Sequence, residues 1–142
     1  MIQILLILNS FIFLLLGFLH VYWAIGGQWA LGAVIPTNTN GRKLFNPGSL
    51  GTFIVALGLL LFMMVDLTYS GLIVFDLSKD ITRHGIFGIG IIFLLRAVGD
   101  FNNIGFTKRR KQSLFAKMDT QFYSPLCVFI AISHWLAYWK MG

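Results

Sequence analysis

Six side chains in this sequence have types suited to chemistry and lie near the ends of apolar runs: His20, Arg96, Asp100, Asp119, Tyr123 and Cys127. Arg96 and Asp100 are four residues apart, so on a helix they share a face and can pair. An arginine oriented by a carboxylate presents a planar fork that suits a phosphate or carboxylate. His20 can carry a proton if a carboxylate is in reach, and Asp100 and Asp119 are the candidates. Cys127 becomes a nucleophile only with a base and a lowered pKa, and His20 is that base only if the fold joins them. Plainer readings stand beside these. Arg96 and Asp100 can be a structural ion pair, with the guanidinium snorkelling to headgroups. His20 can be a hydrogen-bonded packing residue. Tyr123, Cys127, Ala131, His134 and Tyr138 follow at spacings of 4, 4, 3 and 4, which reads as an interhelical seam. His, Cys and acidic residues show none of the short spacings of a zinc or iron site. The scattered Asp66, Asp76, Asp80 and His84 are a weak metal signal, and no cofactor is assigned.

These residues need elements to hold them, and composition says which. The chain has 142 residues, 57% hydrophobic and 11% charged, against roughly 25% charged in a soluble domain. A bilayer is its natural solvent, and its length suits one domain over 1–142. The net charge of +6 lies between apolar runs, which points to anionic lipid headgroups rather than nucleic acid. The single cysteine, Cys127, permits no internal disulfide. A membrane helix needs about 20 mostly apolar residues, and four segments qualify: about 2–24, 49–69, 84–98 and 123–139. Pro47 and Ser49 suit a breaker and cap before the second, and Ser124 and Pro125 suit a first turn of the fourth. The fold expected is an all-α, polytopic bundle of four transmembrane helices.

Charge sets the expected direction. The segments at about 25–48 and 99–122 are basic, with Arg42, Lys43, Lys108, Arg109, Arg110, Lys111 and Lys117. The segment at about 66–83 sets Lys79 and Arg83 against Asp66, Asp76 and Asp80. Basic loops concentrate on the cytoplasmic side, so both termini face outward in a bacterial inner membrane. Arg42, Lys43 and the Lys108–Lys111 block then rest on anionic headgroups, at about 1 kcal/mol of attraction per basic residue. On this topology His20, Tyr22, Trp23, Arg96, Asp100, Asp119, Tyr123 and Cys127 share one depth at the inner leaflet. Charged groups at membrane depth normally face the bundle interior or a wet cavity.

The blocks "GFLHVYWAIGG", "GRKLFNPG", "RAVGDFNNIGF" and "FAKMDTQFYSPLC" together resemble the signature of a bacterial four-span membrane family known only as a domain of unknown function. The resemblance implies the fold, brings no activity, and falls on the same inner-leaflet residues. Three functions follow. The first is a binding site or small enzyme for an anionic-headed lipid or quinone-like molecule, with Arg96 on the head and Trp23 against the tail. The second is a structural or accessory subunit of a membrane partner, the same residues clasping helix ends. The third is an oligomeric transporter, disfavoured by helix middles nearly free of charge.

Overall fold

The computed structural model describes residues 1–38 and 42–142, so Gly41 of the "GRKLFNPG" block lies outside the described residues. The long helices are α1 (Ile2–Ala24), α3 (Ser49–Ser70), α4 (Lys79–Val98) and α6 (Ser124–Met141). Between α1 and α3 lies a single turn, α2 (Leu31–Val34). Before α6 come α5 (Leu114–Met118) and a π-helical turn, Asp119–Tyr123, which runs into α6 without a break. Among the described residues, four helical runs are long and apolar enough to cross a membrane: 2–24, 49–70, 79–98 and 114–141. Ile4, Phe11, Leu15, Phe18, Leu61 and Leu95 point outward and are about half exposed or more. In water that surface would drive association; in lipid it is simply solvated.

α1 packs chiefly on α3, and α4 on α6, while the α1–α6 and α3–α4 seams are slighter. The bundle is therefore two tight helix pairs laid side by side. Small residues let each pair approach closely. A Cβ on Gly17 would stand 3.1 Å from Leu60 on α3, and one on Gly90 would stand 2.6 Å from Trp135 on α6. Gly90 thus serves a seam within the chain. Phe13, Leu59, Ile89, Phe93 and Ile130 fill the middle, with the Phe13 and Phe93 rings 5.4 Å apart.

The helix limits depart from the sequence expectation at two helix starts. α4 begins at Lys79 rather than about 84, because Ser78 caps it by accepting from the Ile81 amide and Asp80 sits in the positive first turn. The last helical run begins at Leu114 rather than about 123, capped by Ser113, which accepts from the Ala116 amide. Ser124 and Pro125 do open α6, as expected, but from the end of a π turn rather than from a loop. Asp66, where the expected span of about 49–69 overlaps the polar segment of about 66–83, lies within α3, which continues to Ser70 and ends on Gly71 at φ 77°. Glycine reaches that left-handed conformation without a Cβ clash. The α3 cap is Gly48, one residue before Ser49, and no side chain caps it.

Candidate functional site

The segments 25–38, 42–48 and 99–113 lie at one end of the bundle, here called the basic end, and both termini lie at the other. Asp119, fully buried, organises the basic end. Its Oδ1 accepts from Arg96 Nη2 at 2.9 Å. Its Oδ2 accepts from Lys108 Nζ at 2.9 Å and from the Gly105 amide at 2.8 Å. Lys108 Nζ also donates to the Gly105 carbonyl at 2.8 Å and to Thr120 Oγ1 at 2.7 Å. An ammonium has three protons, and all three are used. The chain returns to Asp119 because Gly99 (φ 89°) and Gly105 (φ 82°) fold the loop back on itself. A Cβ on Gly105 would collide with the carbonyl groups of Ala97 and Val98.

This geometry corrects two expectations. Arg96 pairs with Asp119, not with Asp100, because Gly99 ends α4 and takes Asp100 off the helix face. Lys108 does not rest on headgroups, because its side chain is 1% exposed in the lock. Arg42, Lys43, Arg109, Arg110 and Lys111 are exposed, as headgroup contact requires.

Asp100 instead builds the turn after α4. Its Oδ1 accepts the amides of Asn102, Asn103 and Ile104 at 3.0, 2.6 and 2.9 Å. Partial burial pushes the carboxyl up, but the backbone amides of Asn103, Ile104 and Asn102 outweigh it and hold the pKa at about 2. The folded value lies below the unfolded one, about 3.9. The contribution is therefore complete above pH 4 and is lost as pH falls through about 2. Asp100→Ala should lower the melting temperature at neutral pH and flatten its fall between about pH 4 and 2, measured by thermal scans in detergent. An unchanged acid profile would refute this role.

Beside the lock, between the two helix pairs, lies a cavity of about 640 Å³, within the usual range for ligand sites. Leu16, Leu59, Phe62 and Phe93 give it apolar walls, and His20, Trp23, Arg96, Tyr123 and Cys127 line its polar end. Val55 on α3 and Ile92 on α4 also line it and are about half exposed, so the cavity meets the surroundings between those two helices. The structure thus brings five of the eight sequence candidates onto one cavity. Asp119 stands behind Arg96. Asp100 serves the turn. Tyr22 serves the loop after α1: its hydroxyl accepts from the Trp29 amide at 3.4 Å. Trp23 Nε1 donates to the Trp29 carbonyl at 2.9 Å.

Arg96 Nη1 is buried and finds no hydrogen-bond partner among the described residues. One edge of the guanidinium is fixed by Asp119 and the other keeps donors to offer. His20 Nδ1 lies 2.7 Å from the Leu16 carbonyl. A carbonyl only accepts, so Nδ1 carries the hydrogen and Nε2 of the neutral ring keeps its lone pair. Tyr123 donates to the Ala33 carbonyl at 3.4 Å and ties the π turn to α2. The cavity end therefore offers a cationic donor and a neutral acceptor, which suits binding a polar head above an apolar tail.

A second polar cluster, missed from the sequence, lies toward the termini. His134 Nε2 meets Asp66 Oδ1 at 3.0 Å, with both side chains fully buried. His134 Nδ1 lies 2.7 Å from the Ile130 carbonyl and so must donate to it. The Nε2–Oδ1 contact then holds one proton, on either partner. One position along, Asn9 Nδ2 donates to Ser133 Oγ at 2.6 Å. The available signal was Asp66 itself: an acid at the end of an apolar run requires a partner, and only the bundle, which sets the parallel helices α3 and α6 across its core from one another, reveals which. Among the described residues no three His, Cys, Asp or Glu side chains gather as a metal site.

Among the described residues, four helices long and apolar enough to span a membrane, with Asn9, Asp66, Asp119 and His134 buried among them, define a multi-pass helical membrane protein. The particular family is also shown: residues 13–134 match the family described as "Protein of unknown function (DUF3995)", and the chain belongs to it. No curated protein and no solved structure matches the chain.

Proposed function

We propose that the protein holds one amphiphilic molecule, a lipid or a quinone-like compound, in the basic-end cavity, and that this end faces the cytoplasmic leaflet of a bacterial inner membrane. The observation that supports it is Arg96 Nη1, a buried donor without a partner among the described residues, on a residue that lines the polar end of a mainly apolar cavity. A buried unsatisfied donor costs about 1–3 kcal/mol, and a ligand oxygen would remove that cost. The basic loops at the same end support the orientation.

Mass spectrometry of small molecules co-purifying in mild detergent tests this reading. A defined lipid or quinone is expected with the wild type and about tenfold less of it with Arg96→Gln, the effect of one hydrogen bond to a charged group. Asp100→Asn should retain it, because Asp100 serves the turn. The same bulk lipid from wild type and Arg96→Gln would overturn the reading.

A second reading, a structural or accessory subunit, draws its support from Asp119 and Lys108. Every hydrogen of the Lys108 ammonium is used inside the protein, as a clasp requires. The two readings divide the residues: Asp119 and Lys108 clasp, and Arg96 does both.

A further inference from the structure

A second cavity, of about 500 Å³, adjoins the first. The two share Trp23, Leu31, Ile35, Pro47 and Thr52 as common walls. Their chemistry differs. The first is mainly apolar. The second is walled by Gln28, Lys43, Asn46 and Ser49, with the glycine-rich turn at Gly26 and Gly27. No acidic side chain among the described residues lines either chamber, and the charged groups that do are Lys43 and Arg96. The N-terminus of α3, uncapped by any side chain, opens on the polar chamber at Ser49 and adds partial positive charge there.

We infer that the occupant is a net-anionic phospholipid, its phosphate in the chamber of Lys43, Asn46 and Ser49 and its acyl chain in the cavity between α3 and α4, with Arg96 at the ester level. This inference rests on the amphiphile reading above and narrows it. A quinone has one polar level, the neutral carbonyls of its ring. Such a ring would satisfy Arg96 and leave the cationic chamber without a counter-charge. A phospholipid has two polar levels in sequence, ester carbonyls and then phosphate. Arg96 Nη1 supplies a donor at the first and Lys43 a charge at the second. The single chain joining the levels would pass Trp23 and Thr52, which line both chambers.

Trp23 is also the reporter. In a variant with Trp29→Phe, Trp135→Phe and Trp139→Phe, it is the one remaining indole. This variant is placed in phosphatidylcholine nanodiscs, and its quenching by phospholipids with brominated chains is titrated. Phosphatidylglycerol is expected to quench at about tenfold lower content than phosphatidylcholine, the effect of one charge-assisted hydrogen bond. Lys43→Gln should abolish that preference while both lipids still quench. Added inorganic phosphate should leave the preference in place. A preference that survives Lys43→Gln, or quenching by a quinone alone, would overturn the head assignment and leave the seat standing. Loss of the preference on adding inorganic phosphate would make the chamber a site for a free anion and overturn the phospholipid. Equal, bulk-level quenching by every probe, unchanged in Arg96→Gln, would instead overturn the amphiphile reading itself.

Discussion

Asp119→Ala is expected to cost about 3–5 kcal/mol of folding stability, the penalty for removing one partner of a buried ion pair. Two cations depend on this carboxylate and they do not suffer equally. Lys108 is 1% exposed at its side chain, and without Asp119 its ammonium would remain desolvated and uncompensated. Arg96 is 32% exposed, so it can turn its long side chain toward headgroups and recover hydration. The loss is therefore mostly Lys108's, and removing Lys108 as well should relieve it. Lys108→Met with Asp119→Leu should cost less than Asp119→Ala, because it leaves no buried charge and only two neutral groups without these partners: the Gly105 amide, which donates to Asp119, and the Gly105 carbonyl, which accepts from Lys108. Denaturant unfolding in detergent, followed by tryptophan fluorescence, measures both variants. Arg109→Ala, an exposed control from the same basic block, should stay within about 0.5 kcal/mol of wild type. If Asp119→Ala matched that control, the lock would not hold the loop.

The reason Lys108 escaped the sequence reading is visible in this lock. In "KRRK" four basic residues stand in a row, and composition treats them alike. What separates Lys108 from Arg109 is the path of the loop, set by left-handed Gly99 and Gly105. The Arg96 partner was misassigned for the same reason. Four-residue spacing predicts an ion pair only where the helix continues, and Gly99 at position three of that spacing ends it. The helix signal itself was fully legible for α1, whose limits of 2–24 were read directly from its apolar run. It failed at polar first turns, where Ser78 and Ser113 start helices outside the hydrophobic window. His20, Trp23, Arg96, Tyr123 and Cys127 were grouped by depth alone, and the cavity they line follows from how α1–α3 sits beside α4–α6. Depth is a sequence property in a membrane protein; azimuth around the helix axis is a packing property.

The same distinction accounts for what each end of the bundle does. At the basic end the lock fixes one edge of the guanidinium and leaves the other unpartnered among the described residues. A guanidinium held this way loses little side-chain entropy when it meets a ligand. Asp119 and Lys108 would then be positioning residues for Arg96, in addition to closing the loop. The π turn that begins at Asp119 contributes to this. It shifts the register between α5 and α6 by one residue, with Asp119 at its start against Arg96 and Tyr123 at its end on the cavity. At the terminal end Asp66 pairs with His134 and Asn9 with Ser133, which ties α3 and α1 to α6 and closes the bundle, while Asp66 Oδ2, Asn9 Oδ1 and Trp135 Nε1 stay without a partner among the described residues.

That closure makes the second large effect. His134→Ala should destabilise the protein by about 3–5 kcal/mol, through two losses that add. The imidazole is fully buried, with its ring 6.0 Å from that of Phe13, so truncation leaves a cavity between α1, α3 and α6. It also removes the partner of Asp66 Oδ1, and Asp66 Oδ2 already lacks one among the described residues. A carboxyl with neither oxygen paired is costly in an apolar interior. Asp66→Asn should be far milder, within about 1 kcal/mol, the worth of one hydrogen bond. Because His134 Nδ1 is spent on the Ile130 carbonyl, the neutral ring keeps its lone pair on Nε2, and an asparagine amide can donate to it. Asp66→Leu can make no such bond and should fall well below Asp66→Asn. His84 offers the control: it too bonds its ring to the carbonyl four residues back, at 2.7 Å from Asp80, but it is exposed. Equal melting temperatures for His134→Ala and His84→Ala would show that the buried pair contributes nothing, and equal loss in Asp66→Asn and Asp66→Leu would show that no hydrogen bond joins the two residues.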